Sequence, residues 1–150
     1  MGTVVALGGQ VGGAKLAEGL YRLRGKQLAV IVNTGDDFDY LGLQVSLDVD
    51  TILYALAGIA DPAKGWEPAG ETFACHGMLA RLGAPAEVPL GDRALAFQLL
   101  RAEALRAERT PTAITLRATA VSTVLAVMTT SSLMSGMVVP RVFSMIQRFR

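Results

Sequence analysis

Thr3-Val4-Val5-Ala6-Leu7, then Gly8-Gly9-Gln10-Val11-Gly12-Gly13, then Ala14–Arg24, then Leu28-Ala29-Val30-Ile31-Val32 decide the fold of this chain. The first and last stretches are short β-branched apolar runs of the kind buried on both faces of a parallel sheet. Between them the glycines break the first strand in a flexible turn. Leu16, Leu20 and Leu23 then recur at helical spacing, opposite Lys15, Glu18, Arg22 and Arg24, until Gly25 stops the pattern. Strand, helix and strand in that order make a βαβ unit, whose crossover is almost always right-handed. The expected class is α/β, a doubly wound Rossmann-like parallel sheet.

Further along, Asp50 or Thr51 is placed to cap a helix running to about Ala60, with Ile52, Leu53, Leu56 and Ile59 inward. A turn-rich connection surrounds the sole Trp66. Thr72–Leu82 is predicted as a helix with Phe73, Leu79 and Leu82 on one stripe. Glu87–Leu90 is a candidate short strand, and Asp92–Arg109 a long helix with Leu95, Leu99, Leu100 and Leu105 inward. Ala118–Val139 carries no charge, which is long enough for a membrane span at about 1.5 Å per residue. Eight of its residues are Ser or Thr, and that disfavours insertion against a buried or disordered tail.

One hundred and fifty residues at 51% hydrophobic content suffice for one core and are too few for two ordinary domains. A net charge of +1 and the absence of a Lys/Arg cluster argue against nucleic acid as a partner. The lone Cys75 permits no internal disulfide and fits a reducing compartment. The first residues lack the pattern of a signal peptide. A cytoplasmic location is therefore expected.

Two features carry chemistry. Glycines after a strand and before a helix let backbone amides and the helix dipole approach a phosphate, so Gly9, Gly12 and Gly13 are candidates, with Lys15 as an added cation. Neither a Rossmann fingerprint nor a Walker loop is satisfied: Leu7 stands at the first glycine of the former, and Ala14-Lys15-Leu16 replaces the end of the latter. Secondly, five of the seven aspartates fall between Asp36 and Asp50, just past the second strand. In an extended stretch Asp48 and Asp50 would point the same way, roughly 7 Å apart, at the end of the sheet where α/β ligands bind. Such oxygen ligands suit Mg²⁺, which binds through one or two carboxylates plus substrate phosphates. Singly, each aspartate has a plainer role as a turn residue, a solvated group or a helix cap.

Val11-Gly12-Gly13-Ala14-Lys15-Leu16, Val30-Ile31-Val32-Asn33-Thr34-Gly35-Asp36-Asp37-Phe38, Leu41-Gly42-Leu43, Ser46-Leu47-Asp48-Val49-Asp50-Thr51-Ile52-Leu53-Tyr54, Gly65-Trp66, Thr72-Phe73 and Leu90-Gly91-Asp92-Arg93 occur in the order seen in the 2-phospho-L-lactate transferase family of deazaflavin coenzyme F-420 biosynthesis. The resemblance covers about residues 1–117. It implies a Mg²⁺-dependent transfer of a three-carbon phospho-acid, 2-phospho-L-lactate or an enolpyruvyl relative, from a guanosine-diphosphate-activated donor to the hydroxyl of the deazaflavin Fo, with release of GMP. By that resemblance Gly9, Gly12 and Gly13 approach donor phosphates, and Asp48 and Asp50 hold the metal or orient the Fo hydroxyl. Asn33, Asp36, Asp37, Thr51, Gly91, Asp92 and Arg93 line the substrate cleft, and a family-like homodimer is admitted.

The chain departs from the family pattern at Gln10, where a glycine is usual, at Glu71, where an Asp-Thr-Phe motif begins, and at Ala94 and Gln98, where an acid and a histidine follow Gly-Asp-Arg. Cys75 and His76 lie outside the pattern and read as packing residues. Family members are about twice as long, and residues 118–150 do not resemble the family's continuation. The expectation is an N-terminal portion of a larger domain followed by a non-family tail from a truncated or frame-shifted reading frame, with weak turnover. Two other readings stay open: a nucleotide-sugar-binding protein of related fold, and an inactive or membrane-tethered remnant.

Overall fold

A computed structural model describes residues 2–106 and 124–127. Its element order is β1 (Val4–Gly8), α1 (Gln10–Arg24), β2 (Leu28–Val32), β3 (Phe38–Tyr40), β4 (Leu43–Val45), α2 (Leu47–Leu56), α3 (Ala74–Arg81), α4 (Asp92–Arg106) and β5 (Val124–Val127). β1 and β2 pair in parallel, from Val4 opposite Leu28 to Gly8 opposite Val32. β5 pairs in parallel on the other edge of β2, from Ala29 opposite Val124 to Val32 opposite Val127. The sheet order is therefore β1-β2-β5, and the α/β class with a parallel sheet stands as expected. A strand in the uncharged segment 118–139 was not expected. Among the described residues no helix is long and apolar enough to cross a membrane.

Leu28, Val30 and Val32 of the central strand are fully buried and join Ala6, Ala14, Ala17, Val49, Ile52, Leu53, Ala55 and Leu56 in the main core. α1 and α2 thus pack together over one face of the sheet. The leucine stripe expected on α1 is not the buried one: Leu16 is 53% and Leu23 80% exposed, while Ala14 and Ala17 are sealed. Small residues win there because the helix sits too close to the sheet for larger ones. The cause is Gly13, where a Cβ would stand 2.9 Å from the Gly8 Cα. The glycine stretch is also shorter as a loop than its sequence suggests. Gln10 to Gly13 already belong to the first turn of α1, with the Gly13 amide bonded to the Gly9 carbonyl at 3.1 Å.

β3 and β4 form an antiparallel hairpin, which the sequence reading missed. Its two turn residues, Leu41 and Gly42, have φ of 51° and 76°, the left-handed pair that a tight two-residue hairpin requires. Tyr40 and Val45 of the hairpin join Leu90 and Ala94 in a second core, and the Tyr40 hydroxyl donates to the Pro85 carbonyl at 2.6 Å. Residues 87–90 form no strand: they pass through a bend, with the Leu90 amide bonded to the Val88 carbonyl at 2.9 Å, and Val88 and Leu90 pack against the hairpin. α3 is shorter than predicted and buries none of its residues, and Leu82 beyond it is 75% exposed. On α4, Leu99 and Leu100 face solvent while Gln98 and Arg101 are buried, an inversion of the expected pattern. Residues 107–109, included in the predicted helix, lie outside the described residues.

Candidate functional site

The crevice begins where β1 and β2 end, and the Asn33 amide N–H donates to the Gly8 carbonyl at 3.2 Å, locking the two strand ends together. Into this junction α2 sends Asp48, from its first turn. The Gln10 backbone N–H donates to one Asp48 oxygen at 2.8 Å, and the Asn33 side-chain amide donates to the other at 3.2 Å. Asp48 is 7% exposed, and the two bonds give each of its oxygens a partner within that burial. Gly9 is obligatory beside it, because a Cβ there would lie 2.6 Å from the Asp48 Oδ2. Gln10 holds φ at 54°, a left-handed conformation that favours glycine.

Asn33 is the hub. Its Nδ2 also donates to the Asp36 Oδ2 at 3.0 Å, and its Oδ1 accepts the Gly35 amide at 3.0 Å. Asp36 and Asp48 therefore converge on a single amide group. Asp37 turns away and accepts the Ser46 hydroxyl at 2.7 Å. Burial raises its pKa above the ordinary 3.8, and the Ser46 hydrogen bond offsets part of that.

The expected pairing of Asp48 with Asp50 is not what the structure contains. Both lie on α2, not on an extended segment, and residues two apart on a helix point about 200° apart around its axis. Asp50 faces α4. Both of its oxygens accept from the Arg101 guanidinium, and its Oδ2 also accepts the Gln98 amide at 2.7 Å. The Arg101 guanidinium in turn donates to the Gln98 Oε1 at 2.6 Å. All three side chains are buried. Gln98 thus completes a buried ion pair. Among the described residues no group of three His, Cys, Asp or Glu side chains gathers as for a metal ion.

Other candidates also have structural partners. The Thr51 hydroxyl is buried and donates to the Trp66 carbonyl at 3.4 Å. Gly91, Asp92 and Arg93 belong to a crossed capping arrangement with Glu71. Glu71, just before α3, accepts the Arg93 amide at 2.6 Å and the Ala94 amide at 3.0 Å at the start of α4. Asp92, in the first turn of α4, accepts the Thr72 hydroxyl and the Ala74 and Cys75 amides at the start of α3. Those bonds, the Thr72 hydroxyl first, hold the Asp92 carboxyl below its usual range. Gly91 leaves room for Glu71, and the Arg93 guanidinium donates to the Ala69 carbonyl.

A cavity of about 200 Å³ opens beside the start of α2, lined by Leu47, Tyr54, Trp66, Val88 and Leu90 among others, with Asp50, Glu67 and Gln98 at its polar points. Its lining is mostly apolar. Tyr54 and Glu67 were not anticipated as lining residues. Tyr54 lies within the predicted helix after Asp50, and Glu67 in the turn-rich connection beside Trp66. The Gly12 side of α1, exposed and with nothing within 4 Å of a built Cβ, leaves that backbone open to an approaching group. Lys15 is exposed on the same helix.

Comparison with known proteins gives this geometry a family. The family model for 2-phospho-L-lactate transferase CofD matches residues 4–138, running past Arg117 and taking in β5. A phosphoenolpyruvate transferase of Kitasatospora aureofaciens is 40% identical over 107 residues, covering 69% of this chain and 33% of the relative. One of Streptomyces avermitilis is 40% identical over 114 residues, covering 75% of this chain and 36% of the relative. One of Nocardia farcinica is 41% identical over 114 residues, covering 75% and 34%. The chain spans about one third of the length of these relatives. With the glycine turn, Asn33 and Asp48 assembled at the strand ends and the match covering most of its length, the chain belongs to the 2-phospho-L-lactate transferase CofD family.

Proposed function

We propose that this chain takes part in the transfer of a three-carbon phospho-acid from a guanosine-diphosphate-activated donor to the primary hydroxyl of the deazaflavin Fo. In that reaction the hydroxyl oxygen forms a bond to the phosphorus bearing the three-carbon acid, the anhydride bond to GMP breaks, and the hydroxyl proton is released. The names of the relatives favour the enolpyruvyl acid over the lactyl one.

The observation that carries this reading is Asp48, a buried carboxylate braced between the Gln10 amide and Asn33 at the mouth of the glycine turn. Phosphoryl transfer asks a protein chiefly to position its partners in line and to neutralise charge on the equatorial oxygens. The N-terminus of α1 offers amides and a positive dipole end to the donor phosphates. Asp48 retains lone pairs beyond its two hydrogen bonds with which to orient the Fo hydroxyl. Asp36 and Asp48, both bonded to the Asn33 amide, would be the carboxylates to hold Mg²⁺, and the ion would supply charge neutralisation on the phosphates when bound. Asp50 takes no part in that set, since Arg101 and Gln98 occupy its oxygens. The apolar cavity beside α2 suits the flat ring system of Fo.

The test is a transfer assay with Fo and the activated donor, run beside titrations with GDP and with UDP-sugars. Asp48→Asn keeps the shape but presents an amide N–H or a neutral oxygen to Asn33. It is expected to lower transfer at least about a hundredfold, the scale seen when a positioned electrostatic group is removed. Transfer by Asp48→Asn equal to the parent, or tighter binding of UDP-sugars than of GDP, would sink the reading.

A further inference from the structure

The cavity beside α2 has four polar lining residues with side-chain oxygens, and they differ in one respect. The side-chain oxygens of Asp50 and Gln98 are all hydrogen-bonded, between the two residues or to Arg101. Those of Tyr54 and Glu67 are not: among the described residues, the Tyr54 hydroxyl and the Glu67 Oε2 are buried with no hydrogen-bond partner. Glu67 is 3% exposed and Tyr54 2%. Native interiors rarely leave such groups unpaired, and two at one cavity point to a partner that arrives from outside.

Glu67 is held there by its loop. The Asp61 amide donates to the Glu67 carbonyl at 2.8 Å, and the Ala69 amide to the Ile59 carbonyl at 2.8 Å, with a bridge between Ala60 and Pro68. Asp61 further accepts the Ala63 and Lys64 amides, at 2.9 and 3.0 Å, closing the turn. The Lys64 ammonium meets Glu67 Oε1 from the solvent side. One Glu67 oxygen is thus paired with a half-exposed lysine, and the other has no partner among the described residues. Tyr54, also lining the cavity, packs on Phe97 with ring centroids 5.2 Å apart.

We propose that Glu67 and Tyr54 form a specificity pair that reads the hydrogen-bonding edge of a flat heterocycle. Glu67 Oε2 accepts a ring imide N–H, and the Tyr54 hydroxyl donates to a neighbouring ring carbonyl. This rests on the acceptor reading above, because the pyrimidine edge of a deazaflavin offers an N–H between two carbonyls. A carboxylate serves as acceptor only, and a phenol whose ionisation is strongly suppressed by burial remains a donor. The pair therefore matches such an edge in both senses. Trp66, 42% exposed at the cavity, supplies a flat wall.

Binding is read from the fluorescence of Trp66, the only tryptophan. The probes are Fo, its imide N-methyl derivative, and lumichrome, which has the same edge without the ribityl chain. The parent chain is expected to prefer Fo over the N-methyl derivative by roughly ten- to a hundredfold, the worth of a hydrogen bond to a charged group. Glu67→Gln, nearly the same shape, and Tyr54→Phe are each expected to erase most of that preference while leaving the N-methyl derivative bound as before. Equal affinity of the parent for Fo and its N-methyl derivative overturns the proposal without need of any variant. So does failure of all three probes to bind, or an unchanged preference in both variants. Binding of lumichrome with dependence on Glu67, but none of Fo, would uphold the pair and reject Fo as the acceptor.

Discussion

Asp48 and Asp50 are two residues apart and chemically identical, yet they do opposite things. Asp48 opens onto the crevice through Gln10 and Asn33, whereas Asp50 is sealed against Arg101. The spacing alone placed them side by side. It did so because it presumed an extended chain, and the helix that begins at Leu47 turns them apart. Removing Asp50 breaks its ion pair with the Arg101 guanidinium, which is 0% exposed, and takes an acceptor from Gln98. Asp50→Ala is therefore expected to cost about 3–5 kcal/mol, measured as the loss of unfolding free energy in urea. A cost under about 1 kcal/mol would show that Arg101 finds other relief. Glycine positions were easier to read in advance, since Gly9 and Gly13 are required by close approaches that only a missing Cβ permits. Gln10 shows the converse, a residue with a side chain at a left-handed φ, its backbone amide bonded to Asp48.

α3 and α4 are marginal as isolated elements. α3 buries nothing, and α4 places Gln98 and Arg101 inward where its leucines were expected. Their stability comes in large part from crossed caps, Glu71 on α4 and Asp92 on α3. Glu71→Ala is expected to cost about 1 kcal/mol and to couple with Asp92→Ala, the double variant losing less than the two singles together, since each cap supports the other's loop. Additive losses in a urea double-mutant cycle would show the caps to be independent. Acid titration gives a separate check. Asp92 has its folded pKa below the ordinary 3.8. Its contribution is therefore full above that value and is lost as pH falls through the lower folded one. Asp37, raised by burial, has the opposite sign: its folded form favours the proton, and its contribution declines as pH rises from 3.8 through the folded value. Asp92→Asn should flatten the fall of stability on the acid side, whereas Asp37→Asn should steepen it, both read from urea midpoints between about pH 2 and 6.

For the molecule as a whole, β2 is the axis, paired on both edges and with Leu28, Val30 and Val32 fully buried. Its amides are expected to show the slowest hydrogen exchange among the described residues and those of α3 the fastest, because exchange follows local burial and contact. Protection in α3 equal to that in β2 would overturn this ordering. The βαβ order, the parallel pairing of β1 and β2 and the glycine turn at their ends were legible in the sequence, because hydrophobic period and glycine placement are local properties of the chain. The β3–β4 hairpin was hidden by its length, three residues a strand, too short for alternation to register. Only the tertiary structure decided which leucines are buried, which aspartate faces the crevice, and that Glu67 and Tyr54 meet at one cavity. Those outcomes depend on which helix lies against which neighbour, and on where buried polar groups find partners far along the chain, neither of which the local pattern encodes.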